Sequence, residues 1–106
     1  MKVAIPSDNQ LTITKRTGQS KGFMVYEIVA NKIMNSEYRI NSLGEHNEEI
    51  EHSHKQIIEL LMDVDILLVA AIGKYMKKDV DTSAIKYEIV KEDELVKIIE
   101  NYIKRI

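Results

Sequence analysis

The sequence predicts an α/β fold with a mixed five-stranded sheet, an antiparallel hairpin and three helices. Segment 65–73 is apolar without alternation, which is typical of a strand covered on both faces. Two β-rich runs flank Ala30-Asn31-Lys32, as in a hairpin. From Leu95 onward, apolar residues recur every three or four positions, which indicates an amphipathic helix.

The first half of the chain predicts one strand followed by the hairpin. Val3-Ala4-Ile5 is a short buried strand, and residues 7–9 form a polar turn after it. A polar, basic loop covers 12–22. The hairpin arms are 23–29 and 33–40, and the mixed polarity of the second arm places it near a sheet edge.

The second half predicts alternating helices and strands. A helix runs from about Ile50 to Met62-Asp63, and 65–73 follows as the central strand. Segment 74–81 is a short helical turn, and 84–90 contains the last strand. We expect the inward side chains of the short turn to be Tyr75, Met76 and Val80. The apolar face of the last helix comprises Leu95, Ile98, Ile99, Tyr102, Ile103 and Ile106.

Composition limits the function classes. The 106 residues suit one domain, and 15 basic against 17 acidic residues give a net charge of −2, without the basic excess of nucleic-acid-binding proteins. Cysteine is absent, which excludes disulfides and all-cysteine metal sites within this chain. No apolar run reaches membrane-spanning length, and Pro6 comes too early for a signal peptide. We therefore expect a soluble cytoplasmic protein.

Five segments, spread in order over nearly the whole chain, are informative together. They are Val3-Ala4-Ile5-Pro6-Ser7-Asp8, Gly18-Gln19-Ser20-Lys21-Gly22-Phe23, His52-Ser53-His54, Val64-Asp65 leading to Ile72-Gly73, and the helix ending at Tyr102. Together they resemble the dinitrogenase iron-molybdenum cofactor biosynthesis family. The resemblance implies a ribonuclease-H-like fold of α/β/α layers, and a non-catalytic binding or carrier domain for an iron–sulfur-type or iron-molybdenum-type cluster.

The implied partners are the metallocluster and a protein that donates or accepts it, with no nucleic acid and no membrane; homo-oligomerisation stays open. Six residues would line the crevice at the strand ends: Ser7, Asp8, Gly18, Lys21, Gly73 and Lys74. Because such clusters are anionic, a compensating positive field is needed. It would come from Lys15, Arg16, Lys21 and Lys74, with backbone N–H groups at the two glycines.

The three histidines, His46, His52 and His54, are the predicted metal ligands, because neutral imidazole is the commonest one. His52 and His54 face the same side only on an extended segment; on a helix they point roughly 200° apart. On a helix His54 instead falls on the apolar face with Ile50 and Ile57, which is the structural alternative. The sequence does not choose between these arrangements.

Two other functions remain open. Relatives usually carry His-Phe before Gly18, Arg after it, and Gly-Gly and Pro-Gly around Ile72-Gly73. This chain has Arg16-Thr17, Gln19, Ala70-Ala71 and Lys74-Tyr75 at these positions. A ligand-free scaffolding domain that has lost the family's site is therefore the alternative. A metal-dependent nuclease is more remote, since it needs clustered carboxylates, for which Asp8, Glu27 and Asp65 are the candidates.

Overall fold

The computed structural model of the chain describes residues 1–41 and 56–106. Its strands are β1 (Lys2–Pro6), β2 (Gly22–Val29), β3 (Lys32–Ile40), β4 (Ile66–Val69) and β5 (Lys86–Ile89). They form one sheet in the order β3-β2-β1-β4-β5. β1 pairs antiparallel with β2 and parallel with β4, β2 pairs antiparallel with β3, and β4 pairs parallel with β5. The predicted mixed five-stranded sheet is confirmed.

Three helical segments accompany the sheet within the described ranges. They are α1 (residues 56–60), α2 (Lys74–Asp81) and α3 (Leu95–Arg105), and a 3-10 turn covers Thr17–Gln19. The predicted start of the first helix, near Ile50, lies outside the described residues. No helix in the described parts of the chain is long and apolar enough to cross a membrane.

The turn between β2 and β3 is a two-residue hairpin connection. Ala30 and Asn31 both have positive φ, 54° and 63°. Two consecutive left-handed residues match the right-handed twist of the flanking strands, and asparagine tolerates this conformation better than most residues. The predicted antiparallel hairpin is therefore confirmed together with its turn.

Apolar side chains lie on both faces of the sheet, so helices cover it from two sides. On one face, Ala4 and Leu67 belong to a buried cluster with α1 and α2. On the other, Val3 and Leu68 belong to a cluster with α3. Successive strand residues point to opposite faces, so each parallel strand contributes to both layers. The result is a three-layer α/β/α arrangement.

Two details of the predicted strands are wrong. β1, not segment 65–73, is the middle strand, because the hairpin adds two strands on its far side. β4 also ends at Val69, and residues 70–73 leave the ladder before α2 begins. Ile89, in β5 at the edge of the described sheet, is 58% exposed.

Two details of the predicted helices also differ. Tyr75 is 70% exposed, whereas Met76 and Val80 are buried. Met76 and Val80 are four positions apart and share the inward side of α2; Tyr75, one position before Met76, is rotated by about 100°. Ile106 is half-exposed because α3 ends at Arg105, one residue earlier.

Candidate functional site

The carboxyl ends of β1 and β4 lie side by side at one edge of the sheet. Because the two strands are parallel neighbours, the segments that leave them meet there. A loop that precedes β2 lies at the same edge. We call this edge the rim and define it as residues 7–8, 15–21 and 70–74. It is where open α/β sheets place their ligands.

Ser7 belongs to the rim segment by position, but its side chain is buried beneath the surface and does not line the crevice. It is fully buried. Its hydroxyl donates to the Thr12 carbonyl at 2.6 Å and accepts from the Gln10 N–H at 2.9 Å, and its own N–H donates to the Gly22 carbonyl at 3.0 Å. These bonds satisfy Ser7 locally, so the expectation that it lines the crevice is corrected. It fixes the turn after β1.

Asp8 and Lys21 are brought together at the rim. Oδ1 of Asp8 accepts from the backbone N–H of Lys21 at 2.7 Å, and both residues are exposed. The Tyr38 hydroxyl donates to the Ser7 carbonyl at 2.7 Å. Burial raises the pKa of Tyr38, and the negative charge of Asp8 adds to this. The contact with Asp8 uses the backbone N–H of Lys21 and not its ammonium group.

Thr17 fastens the basic loop to the segment after β4. Its hydroxyl donates to the Ala71 carbonyl at 2.8 Å, and Thr17 is only 2% exposed. Ser20 closes the 3-10 turn by donating its hydroxyl to the Thr17 carbonyl at 3.1 Å, and Gly18 is half-buried within that turn. The sequence did not predict this contact, because Thr17 and Ala71 are 54 positions apart and no local pattern links them.

The amino terminus of α2 opens on the rim without a side-chain cap. Gly73 is the N-cap residue; it makes no side-chain capping bond, and the first turn contains no acidic residue. A Cβ at Gly73 would meet nothing within 4 Å, so open space adjoins the backbone here. The first N–H groups of a helix lack intrahelical partners and carry partial positive charge. Lys74, at the first helical position, adds a full positive charge.

The other charges of the rim are mostly basic and exposed. Among the described residues, Lys15, Arg16, Lys21 and Lys74 make no ion pair. Arg16 donates to the side-chain carbonyl of Gln19 at 3.3 Å, and the Lys74 ammonium lies 5.9 Å from the Tyr75 ring centre. The described residues contain no group of three or more His, Cys, Asp or Glu that could hold a metal ion. The rim is therefore suited to an anion rather than to a bare cation.

The predicted metal ligands His46, His52 and His54 lie outside the described residues. Whether they reach the rim stays a prediction. Of the six predicted crevice residues, the structure places Asp8, Gly18, Lys21, Gly73 and Lys74 at the rim. Only Ser7 turns inward.

The three carboxylates considered for a nuclease do not share a site. Asp8 comes two positions after Pro6, the last residue of β1. Glu27 instead pairs with Lys2, the first residue of β1. Asp65 is at that same far end, where its Oδ2 accepts from the Lys2 N–H at 2.7 Å. A five-residue strand separates these ends by about 16 Å. That distance is too long for carboxylates that hold a common pair of metal ions about 4 Å apart.

The fold and the rim define a small α/β protein with a basic edge at the carboxyl ends of its parallel strands. A family model described as dinitrogenase iron-molybdenum cofactor matches residues 1–105. The chain belongs to this family. No curated protein matches it in sequence.

Solved structures show the same fold at low sequence identity. PH0822 is 19% identical with a TM-score of 0.80, covering 99% of this chain and 92% of its own. The protein mj0327 from Methanocaldococcus jannaschii is 22% identical, with a TM-score of 0.75 and coverages of 99% and 89%. The apo form of the orange protein from Desulfovibrio gigas is 15% identical, with a TM-score of 0.78 and coverages of 98% and 88%. At these identities the likeness establishes the fold alone.

Proposed function

We propose that this chain is a non-catalytic binding or carrier domain for an anionic iron–sulfur-type or iron-molybdenum-type cluster, which it holds at the rim as cargo. Membership of the dinitrogenase iron-molybdenum cofactor family supports the class of ligand. The observation that supports the place is the amino terminus of α2. It opens at Gly73 with no acidic residue in its first turn and with Lys74 as its first residue.

The physical basis is that a helix amino terminus binds anions through free N–H groups and the positive end of its dipole. A glycine at the N-cap allows a bulky ligand to approach these groups closely, and the space beside Gly73 is open. Lys15, Arg16 and Lys21 extend the positive field along the rim. A cluster with net negative charge would gain from all of these groups at once.

The chain has no cysteine, so thiolates of this chain cannot ligate the cluster. Attachment would then rest on charge, on backbone N–H groups and on nitrogen ligands, for which His52 and His54 are the first candidates and His46 the third. Binding without thiolates suits a carrier, because the cargo must also be released. A protein that donates the cluster or accepts it is the corresponding partner.

The test is to purify the chain without oxygen, add a synthetic anionic iron–sulfide cluster and remove the excess by gel filtration. We expect a visible absorption band to remain with the protein. Lys74→Glu should remove this band, because it places a negative charge at the helix amino terminus. The matched control is Lys104→Glu, which makes the same charge change in the last turn of α3, in the opposite layer. His52→Ala and His54→Ala then show whether imidazole ligates the cargo.

A ligand-free scaffolding domain is the second candidate. Ala70 and Ala71 carry methyl groups where relatives usually have glycines, and Ala71 is itself exposed at the rim. Tyr75 is also exposed beside it. If the protein retains no band and elemental analysis finds no metal, the carrier proposal is wrong and the scaffold is favoured. If Lys74→Glu binds the cluster as well as Lys104→Glu does, the cluster is not held at the amino terminus of α2 and the proposed site is wrong.

A further inference from the structure

The outer edge of β3 is a regular strand edge at one end of the sheet. Met34 is 63% exposed and Ile40 is 68% exposed. Natural proteins usually protect such edges with proline, lysine or bulges, because unpaired backbone groups can pair with another strand. In β3 the irregularity is confined to Met34, opposite the register shift between Glu27 and Ile28, and the one lysine is Lys32 at its start. The stretch 35–40 has no proline, no lysine and no bulge, and its charged side chains are one of each sign, Glu37 and Arg39.

The hydrogen bonds of β2 show which backbone groups point outward from the sheet. The Asn41 N–H donates to the Lys21 carbonyl at 2.8 Å, on the β3 side. The Ser7 N–H donates to the Gly22 carbonyl at 3.0 Å, on the β1 side. In an antiparallel ladder successive residues alternate between the two neighbours. Odd-numbered residues of β2 therefore bond to β3, and even-numbered ones bond to β1.

The same alternation applies to β3. Its odd-numbered residues from 35 to 39 pair with odd-numbered residues of β2. They therefore direct their backbone groups into the sheet. Ser36, Tyr38 and Ile40 consequently direct their N–H and C=O groups to the outer edge.

From this edge we infer that two copies of the chain pair antiparallel along β3, about a twofold axis at Tyr38. In this register Tyr38 opposes the partner's Tyr38, and Ser36 opposes the partner's Ile40. All of these residues have outward backbone groups, so the pairing forms about six hydrogen bonds. It also sets Glu37 directly opposite the partner's Arg39, twice by symmetry, which adds a second arginine beside each Glu37, a residue that already accepts from Arg39 of its own chain at 2.7 and 2.9 Å. Opposite charges in direct cross-strand positions are stabilising.

Other symmetric registers lack this agreement. An axis at Glu37 forms backbone hydrogen bonds as well, but it sets the two Glu37 side chains directly opposite each other, and like charges in this position are destabilising. An axis at Ser36 sets Glu37 opposite the partner's Asn35, without charge complementarity, and brings the irregular Met34 into the ladder. With the axis at Tyr38, the outward backbone groups form hydrogen bonds and Glu37 lies opposite an arginine.

The side chain of Tyr38 does not obstruct this edge. Its ring lies over β2, where a Cβ added at Gly22 would be 2.6 Å from the Tyr38 hydroxyl oxygen. Its hydroxyl is held by the Ser7 carbonyl at 2.7 Å. The ring is thus turned inward across the sheet, and no described strand pairs with the backbone of Tyr38 at the outer side.

The expected dimer is weak, because two single strand edges bury less than a standard interface. We expect a dissociation constant on the order of 100 µM, and sedimentation velocity of the full chain from 10 µM to 1 mM should show monomer passing into dimer. Amide exchange gives an independent readout. At 10 µM, Ser36, Tyr38 and Ile40 should exchange fast while Glu37 and Arg39 are protected. At 1 mM the first three should slow about fivefold, as mass action leaves about one fifth of the chain monomeric.

Two variants test the register. Ser36→Pro removes an N–H that points outward, so it preserves the bonds to β2 and blocks the pairing. Glu37→Lys places a positive charge opposite the partner's Arg39. The matched control is Glu100→Lys, which makes the same charge change at an exposed position of α3. Both edge variants should stay monomeric at 1 mM, and the control should dimerise like the unmodified chain; circular dichroism verifies that each is folded.

Three outcomes overturn the proposal. The first is a chain that stays monomeric at 1 mM with no concentration-dependent protection. The second is growth beyond a dimer, which points to pairing of β3 with the opposite edge strand, β5. The third is a dimer that survives in folded Ser36→Pro, which places the interface elsewhere on the molecule.

Discussion

Charged side chains are arranged differently at the two ends of the parallel strands. Where these strands begin, Asp63 accepts from Arg39 at 2.6 and 2.9 Å and from the Lys2 ammonium at 2.9 Å. Where they end, at the rim, Lys21 and Lys74 make no ion pair with any described residue. Paired charges stabilise a fold, whereas basic groups left unpaired beside open space are available to a ligand. The difference separates an end where charges are paired from the end at which we propose that the ligand binds.

Arg39, on β3, is the main partner of Asp63. Its side chain is only 16% exposed, and besides Asp63 it donates to the Leu60 carbonyl at 3.0 Å and to Glu37 at 2.7 Å. The hydrogen bonds from Arg39, then from Lys2, hold the pKa of Asp63 well below its usual range. The bond to Asp63 likewise raises the pKa of Arg39. One carboxylate thus joins β3 and the start of β1 to the turn that precedes β4.

The largest expected effect is the loss of this carboxylate. Asp63→Asn should lower the free energy of unfolding by about 2 kcal/mol, less than for a fully buried pair because Asp63 is 46% exposed. Lys74→Gln, at the rim, should change it by less than about 0.5 kcal/mol. Urea unfolding of both variants measures the contrast. Equal losses would show that the rim charges are structural too, and the comparison would fail.

The same carboxylate sets a pH dependence. Because the pKa of Asp63 is depressed in the folded state, its contribution is present above the unfolded value of about 3.9 and is lost as pH falls below it. Unfolding free energy should therefore decrease between about pH 5 and pH 2. In Asp63→Asn the decrease should be smaller, so the two curves converge at low pH. Parallel curves would mean that other groups dominate acid unfolding.

Much of the fold could be predicted because local patterns determine it. The spacing of Leu95, Ile98 and Tyr102 requires a helix, and Asn31 suits a turn with positive φ. The central position of β1 could not be predicted. Val3-Ala4-Ile5 is shorter than the apolar run at 65–73, and only the attachment of the hairpin to its far side makes β1 the middle strand.

The sequence indicates which segments of the rim follow strands, but it does not indicate the contacts inside the rim. Gly73-Lys74 follows an apolar run, so its place at a strand end could be predicted from the chain alone. That Ser7 would turn inward depends on carbonyls and amides of residues 10, 12 and 22, which no spacing rule identifies. The bond from Thr17 to Ala71 depends in the same way on the folded backbone.

A smaller effect is expected where the rim itself is held together. Thr17→Val keeps the side-chain shape but removes the hydrogen bond from the hydroxyl to the Ala71 carbonyl, and the loss of this part-buried bond should cost about 1 kcal/mol. The matched control, Thr17→Ser, retains the hydroxyl. If the rim binds the cluster, Thr17→Val should also retain less of it, measured by the absorption band at a temperature where the variant is folded. Equal stability of Thr17→Val and the unmodified chain would show that the loop is held by other contacts.

The smallest expected effect is a change in unfolding free energy whose sign distinguishes a binding role of Lys74 from a structural one. Lys74 places a positive charge at the positive end of the α2 dipole, so Lys74→Glu should stabilise the free protein by about 0.5 kcal/mol. Lys104→Glu, in the last turn of α3, should instead destabilise it by a similar amount. Thermal unfolding of both variants at low salt measures the two signs. A lysine that costs stability where it stands is explained by an anion it serves to bind; if Lys74→Glu is less stable than the unmodified chain, Lys74 has a structural role and the contrast between the two ends disappears.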